Sequence, residues 1–173
     1  MSDSVKKMTE SVIVELVKSF LLEKVDGNWH EEKVRQAKGH SHGADLVMVG
    51  GSHNGERFII ECKGRSYAKS AYSINKEGWL NAIGQLVTRM DTERVIQSGA
   101  TKGRINRAYH YGLGLYWVGA QVALRRIPKP IANVMNLYIF SVSDDGWVRQ
   151  WSPKDFGKEH PDASFQRPVE ASD

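Results

Sequence analysis

Two short apolar runs constrain this chain most: Ala44-Asp45-Leu46-Val47-Met48-Val49 and Arg57-Phe58-Ile59-Ile60-Glu61-Cys62-Lys63, separated by Gly50-Gly51-Ser52-His53-Asn54-Gly55. Both are rich in β-branched and aromatic residues, and the linker holds an Asn-Gly pair, so they predict a β-hairpin. Both faces of both runs are apolar, which requires cover on each side, as in a sheet sandwiched by helices. Yet three ionisable residues are set into this apolar unit. Facing residues of an antiparallel hairpin have numbers of constant sum, about 105 to 107 for a turn centred between Ser52 and Asn54. Asp45 then lies opposite or beside Glu61, and a turn centred on Asn54-Gly55 still leaves them near neighbours. Because side chains alternate along a strand, Glu61 and Lys63 share a face.

Two carboxylates buried side by side raise each other's pKa and need a cation. A divalent metal, Lys63 or both would answer that need. The two carboxylates, a backbone carbonyl (that of Cys62) and waters form a hard-oxygen site suited to Mg²⁺ or Mn²⁺. A metal there would acidify water and neutralise charge building on a phosphodiester. Lys63 would position or help activate the attacking water, or stabilise the transition state. The competing reading is a buried Asp/Glu/Lys cluster that only holds the hairpin.

Around the hairpin, apolar residues recur at helical spacing from Thr9 to Lys24 (Val12, Ile13, Leu16, Val17, Phe20, Leu21), with Asp26-Gly27-Asn28 as the stop. Residues 28–43 read as a short strand or extended segment running into a loop. A loop from Gly64 to Asn75 precedes a second helix marked by Trp79, Leu80, Ile83, Leu86, Val87 and Met90. A strand around Tyr111 to Trp117 follows, then a helix from about Val118 to Arg126 broken by Pro128 and Pro130. Leu137–Val142 and Trp147–Trp151 flank the turn Asp144-Asp145-Gly146 as two final strands. The order predicts an α/β or α+β domain with a mixed central sheet over residues 1–152, and a polar, loosely held tail over 153–173.

The formal charge is +4, but Arg89, Arg94, Lys102, Arg104, Arg107, Arg125, Arg126 and Lys129 meet few acids in their stretch, which hints at a polyanion partner or a solvated basic surface. Cys62 is the single cysteine, which excludes an intramolecular disulfide and a zinc site built on several thiolates. No run approaches the roughly 20 apolar residues that span a bilayer, and the N-terminal MSDSVKKMTE is unlike a secretory signal, so a cytoplasmic protein without a membrane partner is expected.

Gly43-Ala44-Asp45, the strand Ile59-Ile60-Glu61-Cys62-Lys63 and the later Gly84-Gln85-Leu86 resemble the motifs of PD-(D/E)XK, or restriction-endonuclease-like, nucleases. The likeness is nearest to the branch of RecB-type nuclease domains, Mrr-like restriction enzymes and archaeal Holliday-junction resolvases, and runs over roughly residues 8 to 118. It implies an αβββαβ core with a mixed sheet flanked by helices, here with extra C-terminal strands. It also implies a Mg²⁺-dependent endonuclease that hydrolyses DNA, restriction-like or selective for junctions and other structures. Asp45 and Glu61 would bind metal, Lys63 would be catalytic and Gln85 would lie near the site. The family's proline before the first acid is Ala44 here. Gln85 falls nearly opposite the Trp79/Ile83/Leu86 face, so a role facing DNA or solvent stands beside one in the site. The family often adds a first-helix glutamate; Glu10 borders the apolar face and is preferred to Glu15, with an ordinary surface acid as the alternative. His42, Arg65, Arg89, Arg104 and Arg107 are candidate DNA contacts, and a chain this small suggests a homodimer or structure-selective cutting. The alternative is a catalytically idle DNA-binding or assembly module on the same fold.

His40 and His42 with Asp45 offer a rival zinc reading, weakened by Gly39 and Gly43 and by the lack of a later matching cluster. His53 reads as a turn residue, and His110 and His160 stand alone. Tyr109, Tyr111, Tyr116 and Trp117 could stack on bases, but their strand-like spacing favours the core.

Overall fold

A computed structural model describes residues 7–24, 28–32, 44–50, 56–65, 71–90 and 109–157. In chain order the elements are α1 (Glu10–Leu22), β1 (His30–Glu31), β2 (Leu46–Gly50), β3 (Glu56–Lys63), α2 (Ala71–Thr88), β4 (Tyr109–Tyr116), α3 (Trp117–Arg126), α4 (Lys129–Met135), β5 (Leu137–Val142), β6 (Val148–Trp151) and a 3₁₀ turn at Pro153–Asp155. The six strands form one mixed sheet in sequential order, and four helices flank it among the described residues. β3, β4 and β5 run parallel, while the other neighbouring strands pair antiparallel. None of the described helices is long and apolar enough to cross a membrane.

The predicted hairpin forms with Leu46 facing Ile60 and Val47 facing Ile59, a constant sum of 106. Its apolar residues divide between two cores. Phe58, Ile60 and Cys62 pack with Leu46 and Met48 under Ile13, Val17 and Leu21 of α1, whereas Ile59 packs towards Trp79, Ala82 and Leu86 of α2 and the buried face of α3. The sheet is therefore covered on both faces, which is why both runs lack clean alternation. β4 carries Gly114 where any Cβ would lie 2.5 Å from the Cys62 sulfur and 3.3 Å from Ile13, so that absent side chain lets α1 sit close.

Several boundaries differ from expectation. α2 begins at Ala71, within the segment read as a loop to Asn75, and its regular turns end at Thr88. Arg89 and Met90 then close on Leu86 and Val87 through backbone bonds of 3.0 and 3.2 Å. Trp117 opens α3 instead of ending β4. The prolines that end α3 do not end helical structure: Pro128 caps α4 and Pro130 lies in its first turn, where a missing N–H costs nothing. Of the segment read as a tail, Pro153–Gly157 is docked, with Phe156 1% exposed and the Gly157 N–H donating to the Leu124 carbonyl at 2.8 Å. The remainder lies outside the described residues.

Candidate active site

In open α/β sheets ligands gather at the carboxyl ends of the parallel strands. β2 runs antiparallel to β3, so its first residues reach that same end, and Asp45 immediately precedes β2. One step beyond the Leu46/Ile60 pair, the register sets Asp45 opposite Glu61. The Cys62 N–H donates to Asp45 Oδ2 at 2.7 Å, which fixes the orientation of the carboxylate. Glu61 points from β3 towards the α2 layer and is 1% exposed, one of three buried polar or charged residues among those described.

Such a carboxylate needs a cation, and the structure supplies one from α2: the Arg89 Nε donates to Glu61 Oε1. Burial nevertheless pushes the Glu61 carboxyl above its ordinary value; the Arg89 hydrogen bond opposes this, and the Asp45 charge adds to it. Burial sets the direction, and charge acts on both sides of it: Asp45 raises the value, while Arg89 and Lys63 lower it. Cys62 shares the same field: burial, reinforced by Asp45, Glu10 and Glu61, drives its thiol well above the normal range. That excludes it as a ready thiolate nucleophile.

Lys63 follows on the same face, with its Cβ 3.7 Å from the Cβ position of Gly78 on α2. Its Nζ donates to Glu10 Oε2 at 3.0 Å. A steric detail makes that pair possible: a Cβ on Gly64 would lie 2.4 Å from the Glu10 nitrogen and 2.6 Å from the Thr9 carbonyl carbon. Only glycine admits so close an approach of the start of α1 to the end of β3, and Arg65 N–H donating to the Met8 carbonyl at 2.7 Å secures it. Glu15, the other first-helix candidate, pairs with Lys18 at 2.7 Å on the surface instead.

The structure thus brings together Asp45, Glu61, Lys63 and Glu10, and adds Arg89 as the partner of Glu61 instead of a surface cation. Gln85 is exposed on α2, one turn before Arg89, with its carbonyl taken by the Thr88 hydroxyl at 2.7 Å. Arg65 lies at the same end of the sheet, bonded to Asp144 at 2.7 Å and stacked 4.9 Å over the Tyr116 ring, whose hydroxyl also reaches Asp144 at 3.0 Å. Tyr111 and Tyr116 are buried, as the core reading of these aromatics has it. His40, His42, His53, His160, Arg94, Lys102, Arg104 and Arg107 lie outside the described residues.

His110 does not stand alone. Its Nε2 is 3.1 Å from Glu56 Oε2 and its Nδ1 is 2.9 Å from Asn136 Nδ2. These partners are set by the β3/β4 and β4/β5 registers, long-range pairings that no local spacing announces. The role of Arg89 was equally hidden, since its place after the last turn of α2 marks only a cation at a helix end.

Among the described residues no group of three His, Cys, Asp or Glu side chains is gathered closely enough to form a metal cage by itself. The donors present are two facing carboxylates, the pattern by which Mg²⁺ is commonly held with waters filling the remaining positions. No family model, curated protein or solved structure significantly matches the chain.

Proposed function

We propose that the protein is a Mg²⁺- or Mn²⁺-dependent deoxyribonuclease of the PD-(D/E)XK kind, hydrolysing phosphodiester bonds at the Asp45/Glu61/Lys63 end of the sheet. One observation carries the reading: two carboxylates face each other across β2 and β3, one of them buried, with a lysine two residues along on the same face. Three carboxylates (Asp45, Glu61 and Glu10) share two cations (Arg89 and Lys63) there, which leaves a place for one more cation of the kind that phosphodiester hydrolysis uses.

Asp45 and Glu61 would hold the divalent ion, whose chemistry there is to acidify water and neutralise charge on the phosphodiester. Lys63 is pinned by Glu10 through one of its three ammonium N–H groups, leaving donors to orient the attacking water or the phosphoryl oxygens. Glu10 is a positioning residue in this scheme. It sits in the first turn of α1, within hydrogen-bond reach of Lys63. Arg65, at the same end of the sheet, is a cation that can meet the DNA backbone.

The test is cleavage of linear duplex, supercoiled plasmid, single strand, flap and four-way junction with Mg²⁺ or Mn²⁺, beside EDTA and Asp45→Ala. Metal-dependent cutting that vanishes in the variant is expected, and the preferred substrate defines the type. A second reading, an idle DNA-binding module, is favoured by the way Glu61 and Lys63 already have in-chain partners in Arg89 and Glu10. It predicts salt-dependent DNA affinity from a folded protein that cuts none of the panel.

A further inference from the structure

We propose that Arg89 is an exchangeable counter-cation, which neutralises Glu61 until a divalent ion takes that carboxylate and then transfers its guanidinium to a DNA phosphate. This rests on reading Asp45 and Glu61 as a cation site. Glu61 is 1% exposed on a central strand and has no freedom to turn outward, so any ion held with Asp45 must use the carboxylate that Arg89 occupies. Arg89 bonds one oxygen of that carboxylate, Oε1, and a divalent ion on Glu61 would lie within reach of the guanidinium and repel it, so the two cations compete.

Arg89 is built to be the one that moves. Its backbone is anchored by the N–H bond to the Leu86 carbonyl at 3.0 Å, so exchange requires only side-chain rotation. The side chain is 16% exposed, and the neighbouring positions Gln85, Val87 and Thr88 at the end of α2 are exposed, so among the described residues the guanidinium has an outward path. A guanidinium released there presents the planar fork that binds phosphate through two hydrogen bonds. Lys63 differs on this point, because its partner Glu10 is 49% exposed and not a buried carboxylate of the facing pair.

The consequence is coupling. Arg89 weakens metal binding in the absence of DNA, and a phosphate that captures Arg89 frees Glu61 for the metal, so metal and DNA each strengthen the binding of the other. Mn²⁺ affinity, measured by calorimetry or by the free-ion magnetic resonance signal, tests this without turnover. Arg89→Ala is expected to bind Mn²⁺ about tenfold more tightly than the wild type when DNA is absent. A non-hydrolysable phosphorothioate duplex should raise wild-type Mn²⁺ affinity and leave that of the variant unchanged. If Arg89→Ala does not fold, Arg89→Gln, which retains an uncharged N–H donor for Glu61, is read in the same way. Equal or weaker Mn²⁺ binding by the folded variant, where binding is still lost in Asp45→Asn, overturns the role of Arg89 and leaves the cation site standing. Absence of Mn²⁺ binding from wild type and variant alike, with or without DNA, overturns both.

Discussion

At its first residue β3 presents Glu56 to His110, and at its sixth and eighth it presents Glu61 and Lys63 to α2 and α1, so one strand carries an ionisable cluster at each end. The Glu56 end is a closed set. Asn136 Nδ2 donates to the Tyr109 carbonyl at 2.9 Å, which can only accept, and this fixes the amide so that it also donates to His110 Nδ1. The imidazole proton therefore sits on Nε2 and goes to Glu56, and the ring packs against Trp29, Phe58 and Tyr138. One carboxylate meets one donor, with polar groups matched in an aromatic setting. The Glu61 end is less evenly matched: three carboxylates (Asp45, Glu61 and Glu10) share two cations (Arg89 and Lys63), and burial leaves Glu61 harder to ionise than usual even with Arg89 bonded to it. A balanced cluster holds a fold; on the function proposed above, the less balanced one, at the carboxyl ends of the parallel strands, receives a cation from solution.

The sharpest way to break that contrast is to exchange one residue at each end. Asp45→Asn keeps an acceptor for the Cys62 N–H but removes the charge; cleavage is expected to fall by about 10³-fold or more, with the thermal midpoint unchanged or raised as repulsion at Glu61 is relieved. A midpoint that collapses together with activity would make the pair structural. His110→Ala should do the reverse, costing about 1–3 kcal/mol in a urea titration, because Glu56 and Asn136 lose their partner, while the cleavage rate per folded molecule is retained.

A pH dependence separates the ends further. Burial holds the His110 pKa below its ordinary 6.5, Glu56 opposing only in part. The unfolded chain then binds the proton first, so the stability contributed by the neutral ring is complete above about 6.5 and is lost as pH falls towards the depressed folded value. Urea midpoints should drop on going from neutral to mildly acidic buffer, and the His110→Ala variant should show a shallower drop. The smallest effect is expected at Arg65, whose half-exposed pair with Asp144 contributes at most about 1 kcal/mol. Arg65→Ala should leave stability nearly intact and lower the salt slope of DNA binding by about one, detectable by fluorescence anisotropy at several salt concentrations.

Much of the unbalanced end was legible before the fold, because its parts are local. A turn between two apolar runs sets the Asp45/Glu61 register, and strand alternation places Lys63, so three of the five residues follow from one hairpin. Glu10 was a choice between two helix faces that the approach at Gly64 decides. Arg89 reads in the sequence as a DNA-facing cation, because nothing local ties a helix end to a strand residue 28 positions earlier. The closed end was illegible throughout: Glu56, His110 and Asn136 meet through parallel pairings whose registers are set by crossovers. α4 was missed for a different reason, since a proline that breaks a helix interior is at home in a first turn.

The most direct test of the central claim, that the Asp45/Glu61/Lys63 end is catalytic and not a brace, is Lys63→Ala assayed for Mn²⁺-dependent DNA cleavage and thermal midpoint on the same preparation. Glu61 keeps Arg89, and the released Glu10 is half-exposed, so removal of the lysine strands no buried charge. The account predicts cleavage reduced by about 10²-fold or more with a midpoint near that of the wild type. Full cleavage by Lys63→Ala, or a wild-type protein that is folded and metal-loaded yet cuts no DNA, would contradict it.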